Sequence, residues 1–266
     1  MKTRAITGFF FVGAMLASVL INAKLFSVFY ILLATACLYE FYGMYAEREV
    51  RPNRLWGTAL GFTAFSILVG IDHGILSSES AVLILLLLPV LMVRQLFRSE
   101  SQPFERIATT LLGVFYVMVP FYCFYALGFK DGVYLYALPL GFLLTLWSND
   151  TGAYLIGRAF GRNKLYERIS PGKTWEGFVG GLLSAVLVGY ILFQNTNDVL
   201  ALWQWLTMGA LIAVTGTLGD LVESMLKRSL GVKDSGNLLP GHGGLLDRFD
   251  GLLIAAPVIY MFLYLI

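Results

Sequence analysis

The sequence predicts an all-α fold, a polytopic transmembrane helical bundle, on three observations. Of the 266 residues, 58% are hydrophobic and 14% are charged, whereas about 25% of a soluble domain is charged. The apolar residues form long runs, as in 81–93 and 111–127, and about 20 such residues cross a bilayer. Short polar segments separate these runs. The net charge of +2 is too small to indicate a nucleic-acid partner.

About nine spans are predicted from apolar length and from the polar breaks between the runs. Residues 1–130 are predicted to form N-terminal transmembrane helices with short loops, and residues 131–266 a C-terminal transmembrane region that holds most of the polar chemistry. The segment 150–160 is expected to be a separate re-entrant or interfacial helix. The spans run roughly over 5–22, 25–46, 55–71, 80–97, 107–128, 133–149, 175–194, 201–226 and 245–266.

The distribution of basic residues predicts the orientation of these spans. If the N-terminus is cytoplasmic and the spans alternate, all but two of the 19 lysines and arginines fall on the inside. The exceptions are Lys24 and Lys130. Because positive charge favours the cytoplasmic side, a cytoplasmic N-terminus and an odd number of spans are expected.

The densest group of charges lies in residues 224–250, where Asp247 and Asp250 are three positions apart. On a helix, that spacing places both carboxylates on one face, about 5–6 Å apart. Two carboxylates so placed repel each other unless a cation lies between them, and their hard oxygen atoms suit Mg²⁺. The alternative is a pair of solvated charges at a helix start, where the helix dipole favours them.

Asp220 lies deep in an apolar run, where an unpaired charge is costly. Ser224, Lys227 and Arg228 share its helical stripe by their spacing. An acid at depth with bases nearer the cytoplasm suggests a metal and phosphate pocket. A structural ion pair between helices is the alternative.

His242, Gly243 and Gly244 precede the last predicted span. The glycines allow close approach of the backbone to a ligand, and free N–H groups at a helix start can hold phosphate. His242 is interpreted either as a phosphate donor or as a partner in a structural hydrogen bond.

A second polar cluster comprises Asn149 and Asp150, followed by the segment 170–177. Its Gly-Lys-Thr sequence is not a P-loop, because that motif needs a glycine where Glu167 stands. We interpret it as a polar turn that caps the following helix, with Lys173 either as a point charge for phosphate or as an ordinary cytoplasmic lysine. Asp150 could join a metal site or cap a helix. Glu40 could snorkel to the interface and is not assigned to the site.

The string Ser224-x-Leu-Lys-Arg-x4-Lys233-Asp-x-Gly-x5-His242-Gly-Gly-x-x-Asp247-Arg248-Phe-Asp250 resembles the defining motif of the phosphatidate cytidylyltransferase family. The Ser-Asn-Asp-Thr-Gly-Ala-Tyr and Ser-Pro-Gly-Lys-Thr-Trp-Glu-Gly segments upstream are similar to that family too. So are the length and the polytopic layout, so the resemblance covers the chain.

The resemblance implies a reaction in which CTP and phosphatidic acid give CDP-diacylglycerol and pyrophosphate with Mg²⁺. It implies a two-metal type of site on Asp220, Asp247 and Asp250, with Asp150 as a further ligand and a second cation beside Mg²⁺. We expect Lys173, Lys227, Arg228, Lys233 and Arg248 to neutralise phosphate charge at the cytoplasmic face of a bacterial inner membrane. A homodimer is implied by the resemblance alone. Asn149, Ser224, His242, Gly243 and Gly244 complete the predicted substrate contacts.

Three alternatives compete with this interpretation. Another CTP-using lipid enzyme, such as a polyprenol or phytol kinase, would transfer the γ-phosphoryl group to an alcohol. A transporter also carries intramembrane charges, but here they cluster at one face and no symmetry-related pair of broken helices is visible. A purely structural membrane protein would have little use for so many buried charges.

Overall fold

A computed structural model describes residues 2–130, 132–196, 199–238 and 243–266, and it is predominantly helical. His242 therefore lies outside the described residues. The helices are α1 (Lys2–Ile21), α2 (Ala23–Gly43), α3 (Arg54–Asp72), α4 (Leu87–Leu96), α5 (Pro103–Gly113), α6 (Val119–Ala126), α7 (Ala137–Phe160), α8 (Trp175–Asn195), α9 (Leu202–Ser229) and α10 (Asp250–Leu265).

The described chain also contains two 3₁₀ segments, one π segment and four short strands. A 3₁₀ segment leads into α4, a π segment joins α5 to α6, and a second 3₁₀ segment precedes α10. These segments are Ser78–Leu86, Val114–Met118 and Leu246–Arg248. The strands are β1 (Phe129–Lys130), β2 (Val133–Tyr134), β3 (Lys164–Tyr166) and β4 (Ser170–Thr174).

Six helical segments of the described chain are long and apolar enough to cross a membrane. Large apolar side chains on them face outward; Leu85 is 72% exposed and Leu183 is 65% exposed. Such exposure suits contact with lipid, because soluble monomers rarely expose large apolar patches. The six are Ala23–Gly43, Arg54–Asp72, Ser78–Leu96, Pro103–Ala126, Trp175–Asn195 and Leu202–Ser229; Thr7–Ile21 and Asp250–Leu265 are apolar but shorter.

The all-α, membrane-type fold class is therefore supported, and each predicted span contains helical structure in the described residues. The count of nine spans and the orientation of the N-terminus stay predictions. One boundary is wrong: α7 is a single helix from Ala137 to Phe160, so 150–160 is not a separate helix. The polar Asn149 and Asp150 gave the false boundary, because their side chains serve a cavity and not a helix end.

The chain divides into two compact units. The first comprises Met1–Tyr122, Asp131–Val133 and Leu230–Asp247, and the second comprises Cys123–Lys130, Tyr134–Ser229 and Arg248–Ile266. The division into N-terminal helices (1–130) and a catalytic region (131–266) stays a prediction.

In the first unit, α2 is the most buried helix and carries an aromatic core that includes Phe26, Tyr30 and Phe41. The Tyr42 hydroxyl donates to the carbonyl oxygen of Thr110 at 2.6 Å. The hydroxyl of Thr110 in turn accepts from the backbone N–H of Asn53 at 2.9 Å. These bonds join α2, α5 and the start of α3 at one end of the unit.

In the second unit, α8 packs against α7 and α9, and α9 packs against α10. Small residues permit the close approach, as is usual between membrane helices. A Cβ added at Gly177 would lie 2.8 Å from the carbonyl oxygen of Ala153, and one at Gly209 would lie 2.7 Å from that of Ala185. The fully buried Trp205 fills the space beside Gly141.

Candidate active site

A polar cavity of about 390 Å³ lies in the second unit, beside the first turn of α8. Its walls come from one face of α7, from the β3–β4 hairpin and from α9. Asn149 and Asp150 line it from α7, Lys173 from β4 and Asp220 from α9. Asp150 and Asp220, which are 70 positions apart in the sequence, therefore line one cavity.

The charged side chains that line this cavity are the carboxylates of Asp150 and Asp220 and the cations of Arg158 and Lys173. Asp150, Asp220 and Asp250 repel one another through space, and Lys173 attracts both Asp150 and Asp250. The Nζ atom of Lys173 forms an ion pair with Oδ2 of Asp220 at 2.6 Å. The Asp220 side chain is 37% exposed and that of Lys173 is 24% exposed. The site is therefore open to a polar ligand.

The β3–β4 hairpin positions Lys173. The strands pair antiparallel, with Lys164 opposite Thr174 and Tyr166 opposite Ser170. Thr174 then caps α8, because its hydroxyl accepts from the Gly177 N–H at 3.1 Å. The predicted cap is therefore confirmed. The hairpin was not predicted, because its short strands contain Pro171 and Gly172, which are poor strand residues.

Glu176 anchors the other end of the hairpin. Its carboxylate accepts the backbone N–H of Arg162 at 3.1 Å and the side-chain amide of Asn163 at 2.7 Å. Hydrogen bonds from Thr174 and Glu176 thus connect both ends of the hairpin to the first turn of α8. They restrain the strand that carries Lys173.

The Asn149 side chain is 2% exposed and donates to Oδ1 of Asp150 at 3.4 Å. Its own Oδ1 is buried and accepts no hydrogen bond from the described residues. A buried amide oxygen without a donor is costly. Because Asn149 lines the cavity, this oxygen fits the predicted substrate contact.

On α9, the predicted stripe is partly formed. The Ser224 hydroxyl donates to Oδ1 of Asp220 at 3.2 Å, so the serine supports the carboxylate. Lys227 pairs with Glu223 at 3.2 Å, and the Glu223 side chain is fully buried. Arg228 is exposed. The burial of Glu223 was not predicted from the sequence, although its i, i+4 spacing from Lys227 was visible.

Asp247 lies in the first unit, and Asp250 lies in the second at the start of α10. Oδ2 of Asp247 accepts the N–H groups of Ser235 and Gly244, each at 3.0 Å. Asp247 therefore closes a loop in its own unit, and its place in a metal site stays a prediction. The Gly244 N–H proposed for phosphate is engaged by Asp247.

The other predicted contacts are dispersed. Gly243 adopts a positive φ of 81°, which only glycine takes without strain. Lys233 is exposed in the first unit, and Arg248 is exposed in the second.

Glu40 does not snorkel to an interface, contrary to the expectation from its position in α2. It is 4% exposed, and its carboxylate accepts hydrogen bonds from residues about 200 positions later in the chain. No local pattern predicts such partners.

A divalent cation such as Mg²⁺ needs hard oxygen ligands, which carboxylates supply. No three histidine, cysteine, aspartate or glutamate side chains within 2–130, 132–196, 199–238 and 243–266 form a group that could hold a metal alone. Mg²⁺, however, usually takes one or two protein carboxylates together with substrate phosphates and waters. One or two of the carboxylates of Asp150, Asp220 and Asp250, which repel one another, fit that role.

Comparison with known proteins identifies a matching family and several relatives. The model of the "Cytidylyltransferase family" matches residues 2–266. A phosphatidate cytidylyltransferase of Staphylococcus haemolyticus is 44% identical over 158 residues, which is 59% of this chain and 58% of the relative. The enzyme of that name from Staphylococcus saprophyticus is 48% identical over 120 residues, 45% of this chain and 46% of the relative.

A third relative, the phosphatidate cytidylyltransferase of Staphylococcus aureus (strain COL), is 42% identical over 158 residues, with the same 59% and 58% coverage. The chain thus matches about half the length of these relatives.

Proposed function

The chain belongs to the cytidylyltransferase family, and from this premise we propose that it transfers the cytidylyl group of CTP to phosphatidic acid. The products are CDP-diacylglycerol and pyrophosphate. The names of the relatives support this choice of substrates. The single observation that carries it is the cavity lined by Asp150, Lys173 and Asp220, in which the ammonium group of Lys173 forms an ion pair with Asp220.

The proposed chemistry joins two anions. A phosphate oxygen of the lipid attacks the α-phosphorus of CTP, a new P–O bond forms, and the bond to pyrophosphate breaks. Such transfers depend on positioning and on charge neutralisation more than on covalent participation. Because the lipid phosphate is already ionised, no general base is required.

Each candidate residue has a proposed role in this transfer. Lys173 leaves its ion pair with Asp220 to neutralise a phosphate oxygen, and the amide of Asn149 orients a polar group of the substrate. Asp150, Asp220 and Asp250 would hold the cation, and the Ser224 hydroxyl supports Asp220. Bound Mg²⁺ supplies charge neutralisation on the triphosphate. Lys227, Arg228, Lys233 and Arg248 add positive charge, and Asp247 is proposed as a further ligand.

We further propose nine spans in a bacterial inner membrane, with the N-terminus and the site at the cytoplasmic face. CTP then enters from water, while the acyl chains stay among lipid. Residues 131–266 form the catalytic region, and the active form is a homodimer, which light scattering in detergent tests.

Position-specific radiolabels test the reaction. Purified protein is incubated with phosphatidic acid, Mg²⁺ and CTP labelled with ³²P at either the α or the γ position. We expect α label in the lipid and γ label in released pyrophosphate. In a parallel incubation with a polyprenol or phytol in place of phosphatidic acid, γ label in the lipid would instead indicate a kinase. EDTA should abolish transfer, and full activity in EDTA would contradict the role of the divalent ion.

A further inference from the structure

Glu40 is a buried carboxylate that the proposed mechanism does not use. It lies on α2 in the first unit, among apolar neighbours in sequence, and is 4% exposed. None of the described lysines and arginines forms an ion pair with it. Burial of a carboxylate is costly unless hydrogen bonds compensate, so its partners indicate its role.

Ser235, Leu238 and Leu246, which belong to the loop between α9 and α10, donate hydrogen bonds to the two carboxylate oxygens of Glu40. Oε1 accepts the backbone N–H of Leu238 at 3.2 Å. Oε2 accepts the N–H of Leu246 at 2.9 Å and the hydroxyl of Ser235 at 3.4 Å. Hydrogen bonds to an ionised acceptor are about twice as strong as neutral ones. The carboxylate therefore holds the beginning and the end of this loop against α2.

The loop is shaped to approach Glu40 closely. A Cβ at Gly236 would collide with the Glu40 carboxylate, and one at Gly244 would collide with the Ser235 hydroxyl. Ser235 is 5% exposed and contacts two carboxylates: its hydroxyl donates to Glu40, and its N–H donates to Asp247. Leu246, the second backbone donor to Glu40, directly precedes Asp247.

We propose that Glu40 is a positioning residue that fixes the orientation of the Asp247 carboxylate through Ser235 and Leu246. The inference rests on the proposed function, in which Asp247 contributes to the divalent-cation site. Glu40 touches neither substrate nor metal. It acts by restraining Ser235, which donates its N–H to Asp247, and Leu246, which directly precedes Asp247.

Substitution of Glu40 by glutamine tests this role. Glutamine keeps the size of the side chain but has only one acceptor oxygen. Its NH₂ group, a donor, would therefore face the N–H donor of either Leu238 or Leu246, and that hydrogen bond would be lost. Tyr42→Phe is the matched control, because it removes a buried hydrogen bond two residues away on α2 that goes to Thr110 and not to the loop.

We expect Mn²⁺ to bind Glu40→Gln about ten-fold more weakly in detergent, as measured by electron paramagnetic resonance titration. The kcat for cytidylyl transfer should fall at least as far, with the KM for CTP within about two-fold of wild type. Hydrogen exchange of peptides that contain Leu238 and Leu246 should accelerate. In Tyr42→Phe all three quantities should stay at wild-type values, even if its Tm falls.

Equal Mn²⁺ affinity and equal loop exchange in Glu40→Gln and wild type would overturn the positioning role. If Glu40→Gln does not fold, Ser235→Ala decides, because it removes one donor to Glu40 and keeps the N–H to Asp247. A two- to five-fold weaker Mn²⁺ affinity is then expected, on the order of one weak hydrogen bond, and an unchanged affinity overturns the proposal. Failure of the wild type to transfer a cytidylyl group would overturn the proposed function alone, since Mn²⁺ affinity and loop exchange do not depend on the reaction.

Discussion

Lys173 compensates part of the negative charge of the carboxylates that line the cavity. Its ammonium group pairs with Asp220 and attracts Asp150 and Asp250, while the hairpin and the capped start of α8 fix its backbone. A lysine is a compact point charge on a flexible stem. It can therefore turn from a carboxylate to a phosphate without movement of the hairpin.

Lys173→Met is expected to lower kcat/KM for CTP by roughly 100-fold, because about 2.7 kcal/mol of transition-state charge stabilisation is lost. Steady-state kinetics with saturating phosphatidic acid measure it. Lys164→Met is the control on the same hairpin, since the exposed Lys164 donates to the carbonyl oxygen of Pro171. A similar loss in both variants would show that the hairpin tolerates no substitution and would remove the specific role of Lys173.

Asp250→Asn is expected to reduce kcat by about 100-fold or more and to raise the Mg²⁺ concentration needed for half-maximal activity, because an amide is a weaker ligand for a hard cation. Transfer of α label over a Mg²⁺ titration gives both values. Glu167→Gln, at an exposed position, controls for the loss of one negative charge. An unchanged Mg²⁺ requirement in Asp250→Asn would exclude Asp250 from the cation site.

Sequence reasoning found most charged residues of the cavity but not their supporting contacts. Asp150, Lys173 and Asp220 could be selected because a charge beside a long apolar run is unusual. The environments of Glu40 and Glu223 could not be predicted, because the partners of Glu40 lie about 200 residues away and Glu223 becomes buried only when α9 packs. Long-range hydrogen bonds leave no periodic pattern.

At the scale of elements, the cavity depends on the close packing of α7 and α8. A Cβ at Gly181 would lie 2.5 Å from Oδ1 of Asn149, and one at Gly177 would lie 2.8 Å from the carbonyl oxygen of Ala153. These glycines allow α8 to approach the face of α7 that carries Asn149 and Asp150. The geometry of the site is therefore set by backbone contact as well as by its charged side chains.

Gly181→Ala is expected to lower the unfolding free energy by about 1–3 kcal/mol through overpacking and to reduce activity by displacing Asn149. The Tm in detergent and the rate of transfer measure the two effects. Gly13→Ala is the control, because a Cβ there has no neighbour within 4 Å and should stabilise α1 by roughly 0.5–1 kcal/mol. A Gly181→Ala protein as stable and active as the wild type would contradict this packing.

The helices were predictable and the strands were not, for a physical reason. A membrane helix satisfies every backbone polar group within one segment, so apolar length alone reveals it. The β3–β4 hairpin forms in a polar, basic segment with Pro171 and Gly172, where neither apolar length nor alternation marks a strand. Helix α7 was cut short in the prediction because Asn149 and Asp150 resemble a helix end.

At the scale of the molecule, the chain combines outward-facing apolar side chains with basic residues in the predicted cytoplasmic loops. The six long apolar helices of the described chain need a nonpolar solvent. All but two of the 19 lysines and arginines fall on one side of the proposed topology. If that topology holds, both the nucleotide and the lipid headgroup are reached from the cytoplasm.

Single cysteines in a Cys37→Ala, Cys123→Ala background test this topology. Ser77→Cys and Asn195→Cys should react with a membrane-impermeant maleimide in intact cells, because both positions are exposed in predicted outer loops. Glu49→Cys and Glu167→Cys, exposed in predicted inner loops, should react only after permeabilisation. None of the four substitutions removes a basic residue, so the charge distribution that sets the orientation is preserved. Labelling of Glu167→Cys in intact cells would place the hairpin that carries Lys173 outside. A cytoplasmic CTP pool could not then serve the site, so the result would contradict the orientation and the proposed route of the nucleotide together.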